Sequence, residues 1–137
     1  MLYIQQNKYQ YLHKKGTNIM IQINEMSRDF NNVEKYLMTI APSIITLKDV
    51  EQGTKITVDG WMFFTDVKES TGEEVEVMSI ITPEKQVYSC QSATFKKSVR
   101  DIATIMEGKP FTIIKTDGTT NNGRKYINCI LDIESLS

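Results

Sequence analysis

The stretch Thr54-Lys55-Ile56-Thr57-Val58-Asp59-Gly60-Trp61-Met62-Phe63-Phe64 decides the fold. Its side chains alternate with a period of two. Ile56, Val58, Met62 and Phe64 point one way, and Lys55, Thr57, Asp59, Trp61 and Phe63 point the other, the pattern of a strand. Gly60 sits in its middle, where a glycine marks a bulge or a sharp bend. Thr71-Gly72 then supplies a turn, and Val75, Val77 and Ile81 alternate through a second strand reaching Thr82-Pro83. The pair reads as a long hairpin. A turn at Pro83-Glu84-Lys85 leads into a short third strand over 86–91, which holds the β-formers Val87 and Tyr88.

Further along, Ser92 can cap a helix in which Phe95, Val99, Ile102 and Met106 form one apolar stripe, and Gly108 with Pro110 stops it. Two more strands, over 111–116 and 125–133, flank the loop Asp117-Gly118-Thr119-Thr120-Asn121-Asn122-Gly123-Arg124, whose turn-forming residues predict exposure and mobility. The last strand sends Ile127, Cys129, Leu131 and Ile133 to one face, and Tyr126, Asn128, Ile130 and Asp132 to the other. On the N-terminal side, Ser27 is a candidate cap for a helix over 28–40, with Phe30, Val33, Leu37 and Ile40 at helical spacing and Pro42 ending it. Residues 1–24 are polar and aperiodic and read as a mobile tail before a single domain over 25–137. Met20 offers a second start.

The whole chain of 137 residues is of one-domain size. A hydrophobic share of 40% and a charged share of 24% exclude a disordered polymer and a coiled coil. The net charge of -1 excludes a uniformly basic nucleic-acid binder. That charge is uneven, however. Residues 21–83 carry 5 basic and 11 acidic side chains, whereas 84–125 carry 8 basic and 4 acidic. No apolar run approaches a membrane span, and the start lacks a charged-then-apolar signal layout, which points to the cytoplasm. Cys90 and Cys129 stand apart without metal or redox spacing, and read as buried thiols in a reducing compartment.

Three antiparallel strands, a helix and two strands make a short curved sheet, and such a sheet hides its edges by closing. The expectation is a mainly β fold with helices: a five-stranded OB-like barrel (β-β-β-α-β-β) preceded by an N-terminal helix. An open α+β sheet with the helix on one face is the alternative. On the outward side of the first strand, Trp61 and Phe63 suit base stacking while Lys55 meets phosphate; the same rings would equally bury under the helix over 28–40. Tyr88 and Tyr126 are further stacking candidates, or core rings with their hydroxyls at the surface. Lys115, Arg124 and Lys125 flank the loop beside Tyr126, a cationic and aromatic set suited to tracking a nucleic-acid backbone. Lys96, Lys97 and Arg100 read as a solvated helix face, and Asp66, Glu69, Glu73, Glu74 and Glu76 form an acidic hairpin that repels phosphate. The only histidine, His13, lies in the expected tail, so no Ser-His-Asp or Cys-His set can be written. A carboxylate-metal nuclease, a third reading, would have to use Asp59, Asp66, Glu74 and Glu76; Glu74 and Glu76 share a strand face, as exposed strands commonly show, and no phosphate-cradling loop appears. No catalytic residue, metal or cofactor is expected.

From residue 53 to 133 the chain resembles the phage-type single-stranded-DNA-binding proteins. The resemblance is carried by the strand order, by Val87-Tyr88-Ser89 leading into Ser92 and its helix, and by Gly118-Thr119-Thr120 to Gly123 opening the last strand beside Tyr126. It leaves the segment before residue 53 unaccounted for. It implies an OB-type fold and cooperative, sequence-independent coating of replication intermediates, with stacking roles on Tyr88 and Tyr126 and a further one on Trp61. The chain ends at Glu134-Ser135-Leu136-Ser137 without the long acidic tail of bacterial relatives. The functional expectation is therefore non-enzymatic binding of single-stranded DNA in phage or mobile-element replication or recombination. Expected partners are single-stranded DNA, replication or recombination proteins and further copies of the chain, with no membrane. A module that binds a protein partner, anchored by Trp61 and Phe63, is the competing expectation.

Overall fold

The computed structural model describes residues 9–14, 17–68 and 70–136, with side chains from residue 21 onward. Among these the chain forms, in order, strands β1 (Tyr9–Lys14) and β2 (Thr17–Met26), helix α1 (Asn32–Thr39), and strands β3 (Ile45–Thr46), β4 (Lys55–Val58), β5 (Gly60–Lys68), β6 (Glu74–Ile81) and β7 (Val87–Cys90). Helix α2 (Ala93–Ile105) and strands β8 (Phe111–Thr119) and β9 (Lys125–Leu131) complete it. A six-stranded sheet runs β1-β2-β5-β6-β7-β3, and a three-stranded sheet runs β4-β8-β9.

The first predicted strand is thus two strands. At Asp59 the chain leaves one sheet and enters the other, and the Asp59 amide donates to the Ile81 carbonyl at 3.0 Å. The bend is tight because Gly60 lies against the Phe30 ring. A Cβ there would approach two ring carbons to 2.8 Å. Arg28 fastens the outside of the bend. Its guanidinium sits 4.4 Å above the Phe30 ring and donates to Asp59 Oδ2 at 3.1 Å and to Glu34 Oε2 at 2.9 Å.

Around β5 both faces of the six-stranded sheet are covered. One core cluster joins it to α2 and the three-stranded sheet through Ile56, Val58, Trp61, Phe63, Ile80, Phe95, Val99 and Ile113. The other lies toward α1 and contains Ile21, Ile23, Met26, Phe30, Met38, Met62 and Phe64. β5 therefore buries both parities of its side chains, as strands covered on two faces do. This corrects the outward placement of Trp61 and Phe63, which are 3% and 0% exposed. They pack edge to face with ring centroids 5.3 Å apart.

Several expectations shift with this architecture. The polar stretch assigned to a tail supplies, from Thr17, a strand paired along β5 from Ile19↔Lys68 to Met26↔Met62. Residues 1–8, 15 and 16 lie outside the described residues. The helix after it starts at Asn32, not at residue 28. Asn31 caps it, accepting from the Glu34 amide at 2.8 Å while Glu34 Oε1 accepts from the Asn31 amide at 3.1 Å, a reciprocal capping box. Ser27 is unavailable for capping because its hydroxyl accepts from the Trp61 amide at 2.9 Å. Val33, placed on the buried stripe by spacing, is exposed, and Glu34 and Met38 are buried instead. α2 starts after Ser92, whose hydroxyl accepts from the Phe95 amide at 3.2 Å. Of its three cations Lys97 is solvated, Arg100 is partly so while its guanidinium covers the Phe63 ring at 3.9 Å and donates to Glu25 at 2.6 Å, and Lys96 is largely covered and paired with Glu76 at 3.2 Å.

The sheets do not close into a barrel. A closed five-stranded barrel would pair the third and last strands of the predicted order, here β7 and β9, yet β9 pairs with β8 among the described residues. The edge of β7 away from β6 is taken by β3, through the parallel pairs Ile45↔Tyr88 and Thr46↔Ser89. The first turn of α2 lies in the resulting opening, with Ser92 Oγ 3.5 Å from the Ile127 carbonyl.

Candidate functional site

An open cleft of about 2070 Å³ follows that opening. One wall runs from the last turn of α1 at Met38 to Gln52; the floor is the β7–α2 junction at Ser89 to Thr94; the other wall is the β8–β9 hairpin from Asp117 to Asn128. The far end reaches Phe64, Asp66 and Val77.

The hairpin owes its shape to a compact loop. The Thr120 amide donates to the Arg124 carbonyl at 2.8 Å, the Gly123 amide to the Thr120 carbonyl at 2.9 Å, and the Arg124 amide to Thr120 Oγ1 at 3.1 Å. The loop therefore has internal order, and the strand before it runs to Thr119. It projects Arg124, Lys125 and Tyr126, all exposed, with Tyr126 at 40%. Three of the residues singled out from sequence are thus brought together on one wall.

The other five are placed elsewhere. Trp61 and Phe63 are core. Lys115 is 1% exposed, and its Nζ donates to the Val50 carbonyl at 2.7 Å and to Asp117 at 2.6 Å, so it ties the two walls together from beneath instead of meeting a ligand. An unpaired ammonium at that depth would be costly, which is why both partners are close. Tyr88 is half-buried against the first core cluster and does not line the cleft. Lys55 is exposed but outside the cleft, 3.2 Å from the buried carboxylate of Asp132.

Sequence reasoning missed Lys48 and the α2 N-terminus. Lys48 is exposed on a short 3-10 helix, Leu47–Asp49, opposite the hairpin. Nothing local flags it, because its position depends on the long-range pairing of β3 with β7. Ala93 and Thr94, in the first turn of α2, also line the cleft, and that turn carries no acidic side chain. Helix amides there present partial positive charge to an anion. Against Lys48, Arg124 and Lys125 stand Asp49, Asp117 and the distant Asp66, and Asp117 is already paired with Lys115.

The cleft is bordered by one free cysteine thiol, that of Cys90. Burial pushes this thiol up to about 11, offset in part by a backbone hydrogen bond at Ser92. Burial, with Cys90 as a second influence, pushes Cys129 to about 12. Burial thus favours the protonated thiol at both positions. Among the described residues no group of three His, Cys, Asp or Glu side chains gathers, and no helix is long and apolar enough to cross a membrane. No family model, no curated protein and no solved structure matches the chain.

Proposed function

We propose that the chain binds single-stranded DNA without sequence preference, in the replication or recombination of a phage or mobile element. The observation that carries this is the cleft wall on which exposed Tyr126 stands beside Arg124 and Lys125, facing Lys48 and the first turn of α2. A base has a π-face for Tyr126 to stack on, and its phosphates meet the cations and the helix amides; neither contact reads sequence. In this reading the bent β4–β5, then β6, β7, α2, β8 and β9 are the strand and helix order of an OB barrel left open at β7 and β9. The acidic side chains Asp66, Glu74 and Glu76 around the β5–β6 hairpin direct a polyanion to the opposite end of the cleft. The function is binding alone, with no reaction, metal or cofactor.

A partner-binding module anchored by Trp61 and Phe63 loses its anchor, since both rings are buried. The deciding experiment is fluorescence anisotropy of an end-labelled oligo-dT of about 30 nucleotides, long enough for one or more such sites, against a duplex of equal length. Saturable binding of the single strand, weakened by added salt, is expected. Absence of binding at low salt, or a preference for the duplex, rejects the reading.

A further inference from the structure

In the β8–β9 register Gly118 faces Tyr126. The backbone at Gly118 is outside the left-handed region, so its conformation does not call for glycine. Space does. A Cβ on residue 118 would collide with the Tyr126 ring at Cζ, Oη and Cε1. Side chains ordinarily stand away from a sheet, whereas this ring leans across the hairpin into the room its partner leaves. The arrangement is that of an aromatic side chain covering a glycine on the neighbouring strand.

We propose that Gly118 is a positioning residue for the stacking of a nucleobase on Tyr126. By omitting its Cβ it lets the ring rest on β8 with one side supported, leaving the exposed side to receive a base. A ring already held loses less freedom on binding than one that swings in solvent, so the platform is set before the ligand arrives. Arg124 and Lys125 precede Tyr126 directly in the chain and line the same cleft, so cations for the phosphates share the groove with the stack. This inference rests on the single-strand reading of the cleft, and its test separates the two.

The affinity of labelled oligo-dT is measured for the full chain as wild type, Gly118→Ala, Tyr126→Ala and the double variant. Loss of one stacked base weakens Tyr126→Ala about tenfold. Gly118→Ala weakens binding by a similar factor, and the double variant is no weaker than Tyr126→Ala, because alanine at 118 acts only through the ring. The salt dependence of Gly118→Ala stays that of wild type, since no phosphate contact is lost, an outcome that general damage to the cleft would not give. In the free protein the Gly118 Hα resonances are expected to carry a ring-current shift that is lost in Tyr126→Ala. Should Gly118→Ala fail to fold, recovery of folding in the double variant, where no ring is left to collide, supports the same coupling. Wild-type affinity in Gly118→Ala alongside weakened Tyr126→Ala overturns the positioning role and leaves the interface standing. Losses that add in the double variant overturn it as well. Wild-type affinity in Tyr126→Ala, or no binding by wild type, overturns the reading of the hairpin and the inference with it.

Discussion

Glu34 carries more of the fold than its place in a short helix suggests. Its carboxylate takes hydrogen bonds from Arg28 and from the Asn31 amide, and Lys85 Nζ lies 3.0 Å away. The Arg28 guanidinium, against the opposing cost of burial, holds the Glu34 carboxyl at about 2, and Asn31 and Lys85 add to the effect. A carboxyl depressed from 4.5 in the unfolded chain stabilises the fold above pH 4.5, and loses that contribution as pH falls towards 2. The shift corresponds to about 3 kcal/mol at most, reduced because Arg28 and Lys85 are partly solvated. Glu34→Gln keeps the reciprocal cap, since glutamine also serves at that position, but loses the charge. Urea unfolding between pH 2 and 5 is expected to show a steep loss of stability in wild type and a shallower one in Glu34→Gln. Parallel curves would show that other carboxylates dominate acid unfolding.

At the level of elements, the bend between β4 and β5 is the feature on which the rest depends. Gly60 admits the Phe30 ring, and Phe30 is itself 2% exposed beneath Arg28, so it has little room to retreat. Gly60→Ala is expected to cost about 1–3 kcal/mol, as forced overpacking does, read as a lower urea midpoint with an unchanged slope. Gly60→Ala in a Phe30→Leu background should cost less, and an equal cost in both would place the strain elsewhere. Much of this level was legible in the sequence. Period two gave the strands from Lys55 to Ile81, Ser92 and the Phe95–Val99 spacing gave α2, and the mid-strand glycine announced a bend. The face of Trp61 and Phe63 was not legible, because a strand with apolar residues at both parities does not say which side is covered, or that both are. Nor was β2, whose Gln22, Asn24 and Glu25 dilute the alternation of Ile21 and Ile23. The site was half legible. Arg124, Lys125 and Tyr126 are adjacent in the chain and so travel together, whereas Lys48 reaches the cleft through a pairing between β3 and β7 that no local pattern encodes. Lys115 misled because a lysine in a strand reads as surface, and only the Val50 carbonyl and Asp117 explain its burial.

The molecule as a whole is electrically lopsided despite a net charge of -1. The β5–β6 hairpin concentrates carboxylates, and the β8–β9 hairpin with Lys48 concentrates exposed cations. If those cations meet phosphates, their number sets the response to salt. Arg124→Ala with Lys125→Ala is expected to flatten the slope of log affinity against log salt by about 1.4, since each contact on a single strand contributes about 0.7. An unchanged slope would move the strand's path away from this hairpin. The depth of Trp61 has an optical corollary. It is the only tryptophan, 3% exposed and set against Phe63 within a cluster drawn from both sheets and α2. Its emission is therefore an interior thermometer, blue while the layers hold together and red once they part. A ligand arriving in the cleft would not stack on that ring, so binding is better watched from the DNA.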